Sequence, residues 1–187
     1  MQQRCAIIYL VEMGISGLVE SLMSLHDIHN IWVIHLSTMI EFIIIVTMFY
    51  FWETNIYKKR TMLIVGCLFM IFWIVAKSTF ESFEHIDVYS SIIAQVIYII
   101  LAVSMFFNVS KDTHISLKND ARIWIASGLI IYSAGTLFVV SLIDVIITSM
   151  PELFNIVWHI NWVLVILVTL FFARAVWCQV PQEISKI

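Results

Sequence analysis

Residues 31–52 read IWVIHLSTMIEFIIIVTMFYFW, an almost unbroken apolar run in which Glu41 is the one acidic residue and no Lys or Arg occurs. The hydrocarbon core of a bilayer is about 30 Å thick, and an α-helix needs about 20 apolar residues to cross it. Within that core a helix pairs its own backbone N–H and C=O groups, whereas an irregular segment leaves them unpaired. The run therefore predicts a transmembrane helix.

The rest of the chain repeats this pattern. Of its 187 residues, 61% are apolar and 12% are charged, whereas soluble domains are about half apolar and a quarter charged. Polar breaks separate comparable runs at about 5–25, 61–80, 89–108, 122–148 and 153–178. We expect one all-α domain over residues 1–187, a polytopic bundle of six transmembrane helices in contact with the lipid bilayer. The net charge of −3 is small and unclustered, so it does not indicate a nucleic-acid partner.

The positions of Lys and Arg predict the orientation of the bundle. Cytoplasmic loops of membrane proteins hold the excess of these residues. With the N-terminus inside, every basic residue except Lys77 falls on the inner side: Arg4, Lys58, Lys59, Arg60, Lys111, Lys118, Arg122, Arg174 and Lys186. We therefore predict that both termini are cytoplasmic and that the protein is a multi-pass protein of the cell membrane.

Polar residues within the spans are the main functional clue, because ionisable groups in hydrocarbon are costly and usually mark a site or an internal pair. Each span places one of them about 5–9 Å below the outer surface, at 1.5 Å of rise per residue: Glu20, His35, Lys77, Gln95, Asp144 and His159. One interpretation is a polar chamber open to the outside that binds a cation, a metal or a polar ligand, or senses pH. The alternative is a set of interfacial side chains that the span boundaries place too deep, with Lys77 paired to Asp144 or Glu20.

Glu12, Glu41 and Asn161 lie deeper in the predicted spans. Glu41 falls about 15 Å below the outer surface, so a small error in the span boundary would not move it into water. Intramembrane carboxylates often act as relays, and one hypothesis is a proton or cation pathway from the chamber through Glu41 toward Glu12. The other is a buried structural hydrogen bond from Glu41 to Asn161 or Tyr132.

The histidines suggest two cofactor hypotheses. His26 and His29 are three residues apart and would form half of a metal site if their loop turned helically. Zinc needs three or four protein ligands, and the remainder would come from His35, His85, Glu84 or Glu20. His35 and His159 lie at similar predicted depth, which would allow them to hold a haem as axial ligands.

The fifth span carries a stripe of small residues: Ser127, Gly128, Ala134 and Gly135. Small side chains let helices approach closely in lipid. We expect this stripe to pack within the bundle, and the alternative is the interface of a homo-oligomer.

Four short segments carry a resemblance to a known group: His29-Asn30-Ile31-Trp32-Val33-Ile34-His35, Glu41-Phe42, Tyr132-Ser133-Ala134-Gly135 and Trp158-His159-Ile160-Asn161. With these segments the chain resembles small multi-span membrane proteins of Bacteroidetes that have no assigned function. The resemblance implies the bacterial inner membrane and a characteristic polar set: His35, Glu41, Tyr132, Ser133, His159 and Asn161. Members of the group carry one more helix upstream, whereas here the first span begins at about residue 5.

No sequence motif for catalysis is found, since a zinc-protease pair, a nucleophile elbow and a phosphate-binding glycine loop are all absent. The leading hypothesis is a non-enzymatic sensor or interaction module, in which the outer chamber binds a ligand or proton and the short basic inner loops address a cytoplasmic or membrane protein partner. One alternative is a proton- or cation-conducting channel or transporter that uses the intramembrane carboxylates. Another is a membrane-embedded metal- or haem-binding protein or enzyme.

Overall fold

The computed structural model describes residues 2–26, 28–111 and 117–178, and within these ranges it contains helices and no strand. Six long helices follow one another along the chain: α1 Gln2–Leu25, α2 Ile31–Trp52, α3 Ile56–Thr79, α4 Tyr89–Ser110, α5 Ala121–Ser149 and α6 Phe154–Trp177. Each is long and apolar enough to cross a bilayer. The predicted all-α bundle of six spans is therefore confirmed.

Local capping sets the starts of α3 and α5. α3 begins at Ile56, about a turn before the predicted span, because the Asn55 side chain accepts a hydrogen bond from the Tyr57 backbone N–H at 2.9 Å. At the start of α5, Asp120 accepts one from the Arg122 N–H at 2.8 Å. Side-chain oxygens at this position pair N–H groups that the first helical turn leaves free, so the helices extend past the apolar runs.

Five of the six helices form a closed ring. Neighbours around the ring are α1 and α2, α2 and α4, α4 and α5, α5 and α6, and α6 and α1. The remaining helix, α3, packs against α2 and α4. We call the end of the bundle with the α1–α2, α3–α4 and α5–α6 connections the upper end, and the opposite end the lower end.

Apolar side chains fill the lower half of the ring. Tyr9, Ile45, Phe49 and Phe172 are fully buried there, and the rings of Tyr9 and Phe172 lie 4.2 Å apart. At mid-height Phe42 stacks on Phe69 of α3 at 3.8 Å, which ties α3 to the ring. These contacts leave the upper half as the part of the ring that holds a cavity.

The outward faces of the helices are apolar as well. Large exposed side chains include Leu18, Leu68, Ile100, Phe138 and Leu170, each at least 60% exposed. In water such a surface would cost about 25 cal/mol for each Å² of apolar area, whereas lipid tails solvate it. The exposed surface fits an integral membrane protein in contact with the bilayer.

The small-residue stripe of α5 faces α6. A Cβ atom at Gly128 would lie 2.6 Å from the Cβ of Phe171, and one at Gly135 would lie 2.5 Å from a methyl group of Leu164. These separations are below any normal van der Waals contact, so the two glycines allow α5 and α6 to approach closely. The predicted packing role within the bundle is confirmed for Gly128 and Gly135, whereas Ala134 is exposed.

Candidate functional site: a polar chamber in the upper half of the ring

A half-enclosed chamber of about 150 Å³ lies between the five ring helices. Each ring helix contributes residues to its wall, and the α3–α4 connection contributes Ile86 and Asp87. The ionisable or amide side chains of this wall are Glu20, Glu41, Asp87, Gln95 and Asn161. The described lining residues include three carboxylates and neither Lys nor Arg, so the wall carries negative charge when these groups are ionised.

Helical spacing places the lining residues. Residues four apart lie on one face of an α-helix, and the chamber wall repeats this spacing on four helices. The pairs are Ser16 and Glu20, Ser37 and Glu41, Ser91 and Gln95, and Tyr132 and Thr136. On α6 Trp158, Asn161, Trp162 and Val165 make the equivalent stripe. The sequence signal for this chamber is thus a pair of polar residues four positions apart in an otherwise apolar helix, one of them small.

Glu41 lies near the floor of the chamber. It is ten residues after the start of α2, or about 15 Å along the helix axis, and only 6% of it is exposed. Its Oε1 accepts a long hydrogen bond of 3.4 Å from the Tyr9 hydroxyl. The predicted hydrogen bond to Asn161 or Tyr132 is wrong, because Asn161 instead accepts one from Thr136 at 3.2 Å and Tyr132 lines the chamber.

Glu12 lies beside the chamber. Its Oε1 accepts hydrogen bonds of 2.8 Å from the hydroxyls of Ser16 and Ser37, and both serines line the chamber. The Oε2 atom is buried without a hydrogen bond. Glu12 is therefore joined to the chamber wall by two hydroxyls, although it is not itself among the lining residues.

A buried ion cluster covers the upper side of the chamber. The Lys77 ammonium donates to Glu81 at 2.7 Å and to Asp87 at 3.0 Å, and all three side chains are at most 4% exposed. Lys77 thus pairs with residues of the α3–α4 connection and not with Glu20, so that part of the predicted alternative is wrong; the Asp144 side chain lies outside the described residues. The reason is proximity, since Glu81 follows Lys77 by one helical turn and the connection folds back over it.

Glu81 also caps α4. Its Oε1 accepts hydrogen bonds from the backbone N–H groups of Tyr89 at 2.8 Å and Ser90 at 3.3 Å, and its Oε2 accepts one from the Ser90 hydroxyl. A carboxylate at a helix N-terminus is also stabilised by the helix dipole. Glu81 therefore fixes the start of α4 to the same cluster that holds Asp87 over the chamber.

The two carboxyl groups of the cluster differ in acidity. Burial raises the pKa of Asp87 to about 6, and the nearby Glu81 charge adds to the rise while Lys77 opposes it. Burial also acts to raise the pKa of Glu81, but the hydrogen bonds from Lys77 and Ser90 outweigh it and lower that pKa below its usual value. Glu81 is thus the permanent partner of Lys77, and Asp87 is the group that takes up a proton.

His35 lies next to Asp87. Its Nε2 donates to the His85 backbone carbonyl at 2.8 Å, because a carbonyl oxygen only accepts. Its Nδ1 is 3.8 Å from Asp87 Oδ2, which exceeds a hydrogen-bond distance, and both atoms are buried without a hydrogen bond.

The remaining predicted residues do not join the chamber. His159 is exposed on α6, where its Nδ1 bonds to the Asn155 carbonyl of the same helix, so it does not face the buried His35 as a haem pair requires. His26, His29 and the His85 side chain are exposed at the upper end. In residues 2–26, 28–111 and 117–178, no three His, Cys, Asp or Glu side chains are grouped to hold a metal ion.

The Asp144 side chain lies outside the described part of the structure, and Ser133 is buried with its hydroxyl unpaired.

Comparison with protein-family models, with curated proteins and with solved structures finds no significant match.

Proposed function

We propose that this protein is a membrane-embedded sensor that binds a small polar ligand in the chamber and communicates its binding to a protein partner. One observation carries the proposal, which is a half-enclosed cavity of about 150 Å³ with acidic and amide side chains in the upper half of a helical ring. Burying such groups around an empty apolar space would be unfavourable. A cavity that keeps them accessible is suited to binding.

The floor of the chamber favours binding over conduction. Tyr9, Tyr98, Ile45 and Phe49 are fully buried in the ring below Glu41, and apolar contacts continue to the lower end. A conducting path needs water or polar groups along its whole length. The arrangement therefore supports a chamber with one opening.

The orientation of the bundle completes the proposal. We place the upper end outside, because Lys58, Lys59 and Arg60 at the lower end satisfy the preference of cytoplasmic loops for basic residues. The chamber would then sample the external medium, and the basic lower end would address a cytoplasmic partner. The bacterial inner membrane is the location that fits the resemblance to the Bacteroidetes group.

Ligand-dependent stability tests the proposal. A ligand that binds the folded state raises the unfolding temperature by mass action. We expect at least one class in a panel of small cations, anions and neutral polar molecules to stabilise the protein in detergent at fixed pH and ionic strength. Val139→Phe and Val140→Phe, which place a ring in the chamber, should remove that response. A panel of which no member raises the unfolding temperature of the native protein would refute the proposal.

Proton or cation conduction is the second candidate, and the observation in its favour is the Ser37 hydroxyl, which lines the chamber and bonds to Glu12. This contact extends polar groups from the chamber toward α1. If the protein conducts, proton flux into liposomes should fall when Glu41→Gln removes the ionisable group at the chamber floor. Equal flux in both proteins, or no flux above empty liposomes, would exclude this candidate.

A further inference from the structure

We propose that the ligand of the chamber is a small organic molecule with a primary ammonium group. The inference rests on the proposed function, because it names the ligand class of the same chamber. It is carried by the charge of the wall, by the kind of polar atom that the wall leaves unpaired, and by the shape of the cavity.

The carboxyl groups of the wall favour a positive ligand. Glu20, Glu41 and Asp87 come from α1, α2 and the α3–α4 connection, so three separate elements direct carboxyl groups at one cavity. The nearest ammonium, Lys77, lies behind Asp87 and is shared with Glu81 at 2.7 Å. One Lys thus faces two acids in the cluster, and Glu20 and Glu41 have no basic partner among the described residues. A cation in the chamber would compensate this excess.

The unpaired atoms of the wall require hydrogen-bond donors. Asp87 Oδ2 and Gln95 Oε1 are buried without a hydrogen bond, and their residues are 1% and 4% exposed. Both residues line the chamber, and both atoms are acceptors. A primary ammonium group offers three donors and no acceptor, so it matches them. A quaternary ammonium group has the charge but no N–H, and an alcohol has a donor but no charge.

The opposite side of the chamber carries an apolar patch that limits the rest of the ligand. Val139 and Val140 of α5 and Val165 of α6 line it, together with Trp162. A volume of about 150 Å³ is comparable to a cavity that accommodates a benzene ring, or about six non-hydrogen atoms. The ligand therefore combines an ammonium group, directed at the acids, with a short hydrocarbon portion against the valines.

Four small probes of similar size test the ligand class. The full chain is purified in detergent, and binding of n-butylammonium, tetramethylammonium, n-butanol and butyrate is measured by calorimetry at pH 7 and constant ionic strength. We expect n-butylammonium to bind. The affinity for tetramethylammonium and for n-butanol should be lower by about tenfold or more, because each lacks the charge-assisted hydrogen bonds. Butyrate should not bind, because the acids repel it.

Variants localise the effect. Glu41→Gln removes an ionisable carboxyl group from the wall, and Gln95→Met removes the unpaired acceptor with little change of volume, so each should weaken n-butylammonium binding about tenfold. Glu84→Gln is the matched control, because Glu84 is exposed on the α3–α4 connection outside the chamber; it should bind like the native protein. If Glu41→Gln does not fold, Glu20→Gln at the half-buried rim replaces it.

The outcomes separate the two proposals. If tetramethylammonium, n-butanol or butyrate binds as tightly as n-butylammonium, or if Gln95→Met and Glu84→Gln bind alike, the ligand is not a primary ammonium compound. The proposed function survives that result when Val139→Phe still abolishes binding of whichever probe is accepted. Both proposals fail when none of the four probes and no solute of the wider panel binds the native protein.

Discussion

Asp87 is the residue at which the chamber, the ion cluster and His35 meet, and its protonation should affect stability. Burial raises its pKa from 3.8 to about 6. Between pH 3.8 and about pH 6 the Asp87 carboxyl group is protonated in the folded protein but has lost its proton in the unfolded chain. This proton stabilises the fold at low pH, and its contribution is lost as the pH rises through 6. We expect Asp87 to contribute a fall of about 1 kcal/mol in the free energy of unfolding between pH 5 and pH 7, as measured by denaturation in mixed micelles.

Asp87→Asn isolates this effect. The variant removes the proton site and leaves Lys77 paired with Glu81, so the cluster stays balanced in charge. The pKa of Glu81 is lowered, so its own contribution changes only as the pH falls below its usual range, outside the window measured. The free energy of unfolding should therefore change less between pH 5 and pH 7 in Asp87→Asn than in Glu84→Gln. Equal slopes in the two variants would show that another group titrates.

Lys77 should be the most sensitive side chain of the cluster. Lys77→Met leaves Asp87 and Glu81 buried without a cation, and breaking a buried ion pair on one side costs about 3–5 kcal/mol. Lys58→Met is the control: Lys58 is 44% exposed and lies 3.6 Å from the buried Glu53, whose carboxylate also accepts hydrogen bonds from the Thr54 and Asn55 N–H groups. Loss of the solvent-screened Lys58 charge should cost about 1 kcal/mol or less. Denaturation of both variants at pH 7 compares the losses. Similar losses would mean that Lys77 contributes no more than a surface charge.

At the scale of the helices, close packing of α5 on α6 depends on glycine. A methyl group at Gly128 meets the Phe171 side chain at 2.6 Å, whereas nothing lies within 4 Å of one at Gly14. Gly128→Ala should therefore destabilise the fold by about 1–3 kcal/mol through overpacking. Gly14→Ala should stabilise it by about 0.5–1 kcal/mol, because alanine loses less backbone entropy in a helix. Denaturation of the two variants under one condition tests the sign of each change.

The oligomeric state distinguishes this packing role from the alternative in which the stripe joins two copies. If Gly128 packs only against α6, Gly128→Ala should change stability and leave the molecular mass in detergent as it is in the native protein, measured by light scattering. A native dimer that becomes monomeric in Gly128→Ala would contradict the intramolecular assignment.

At the scale of the whole molecule, hydropathy predicts the six helices, because a bilayer imposes length and apolar composition on every span. It does not predict which helices are neighbours. Glu41 meets Tyr9 because α1 lies beside α2 in the ring, and Lys77 meets Asp87 because the α3–α4 connection folds back; both depend on tertiary packing. The rotation of a helix is equally hidden, and so His159 lies outside while Asn161, two residues on, lines the chamber. The four-residue spacing of small polar side chains was the available signal for the wall.

Orientation in the membrane is the prediction on which the direction of sensing depends. Ser82 is exposed at the upper end and Thr54 at the lower end, so single cysteines at these positions report opposite sides. In a background with Cys5, Cys67 and Cys178 replaced by alanine, we expect a membrane-impermeant maleimide to label Ser82→Cys in intact cells. Thr54→Cys should react only after permeabilisation, because the basic lower end faces the cytoplasm. The reverse pattern would put the chamber opening inside the cell, and the ligand of the chamber would then be a cytoplasmic solute.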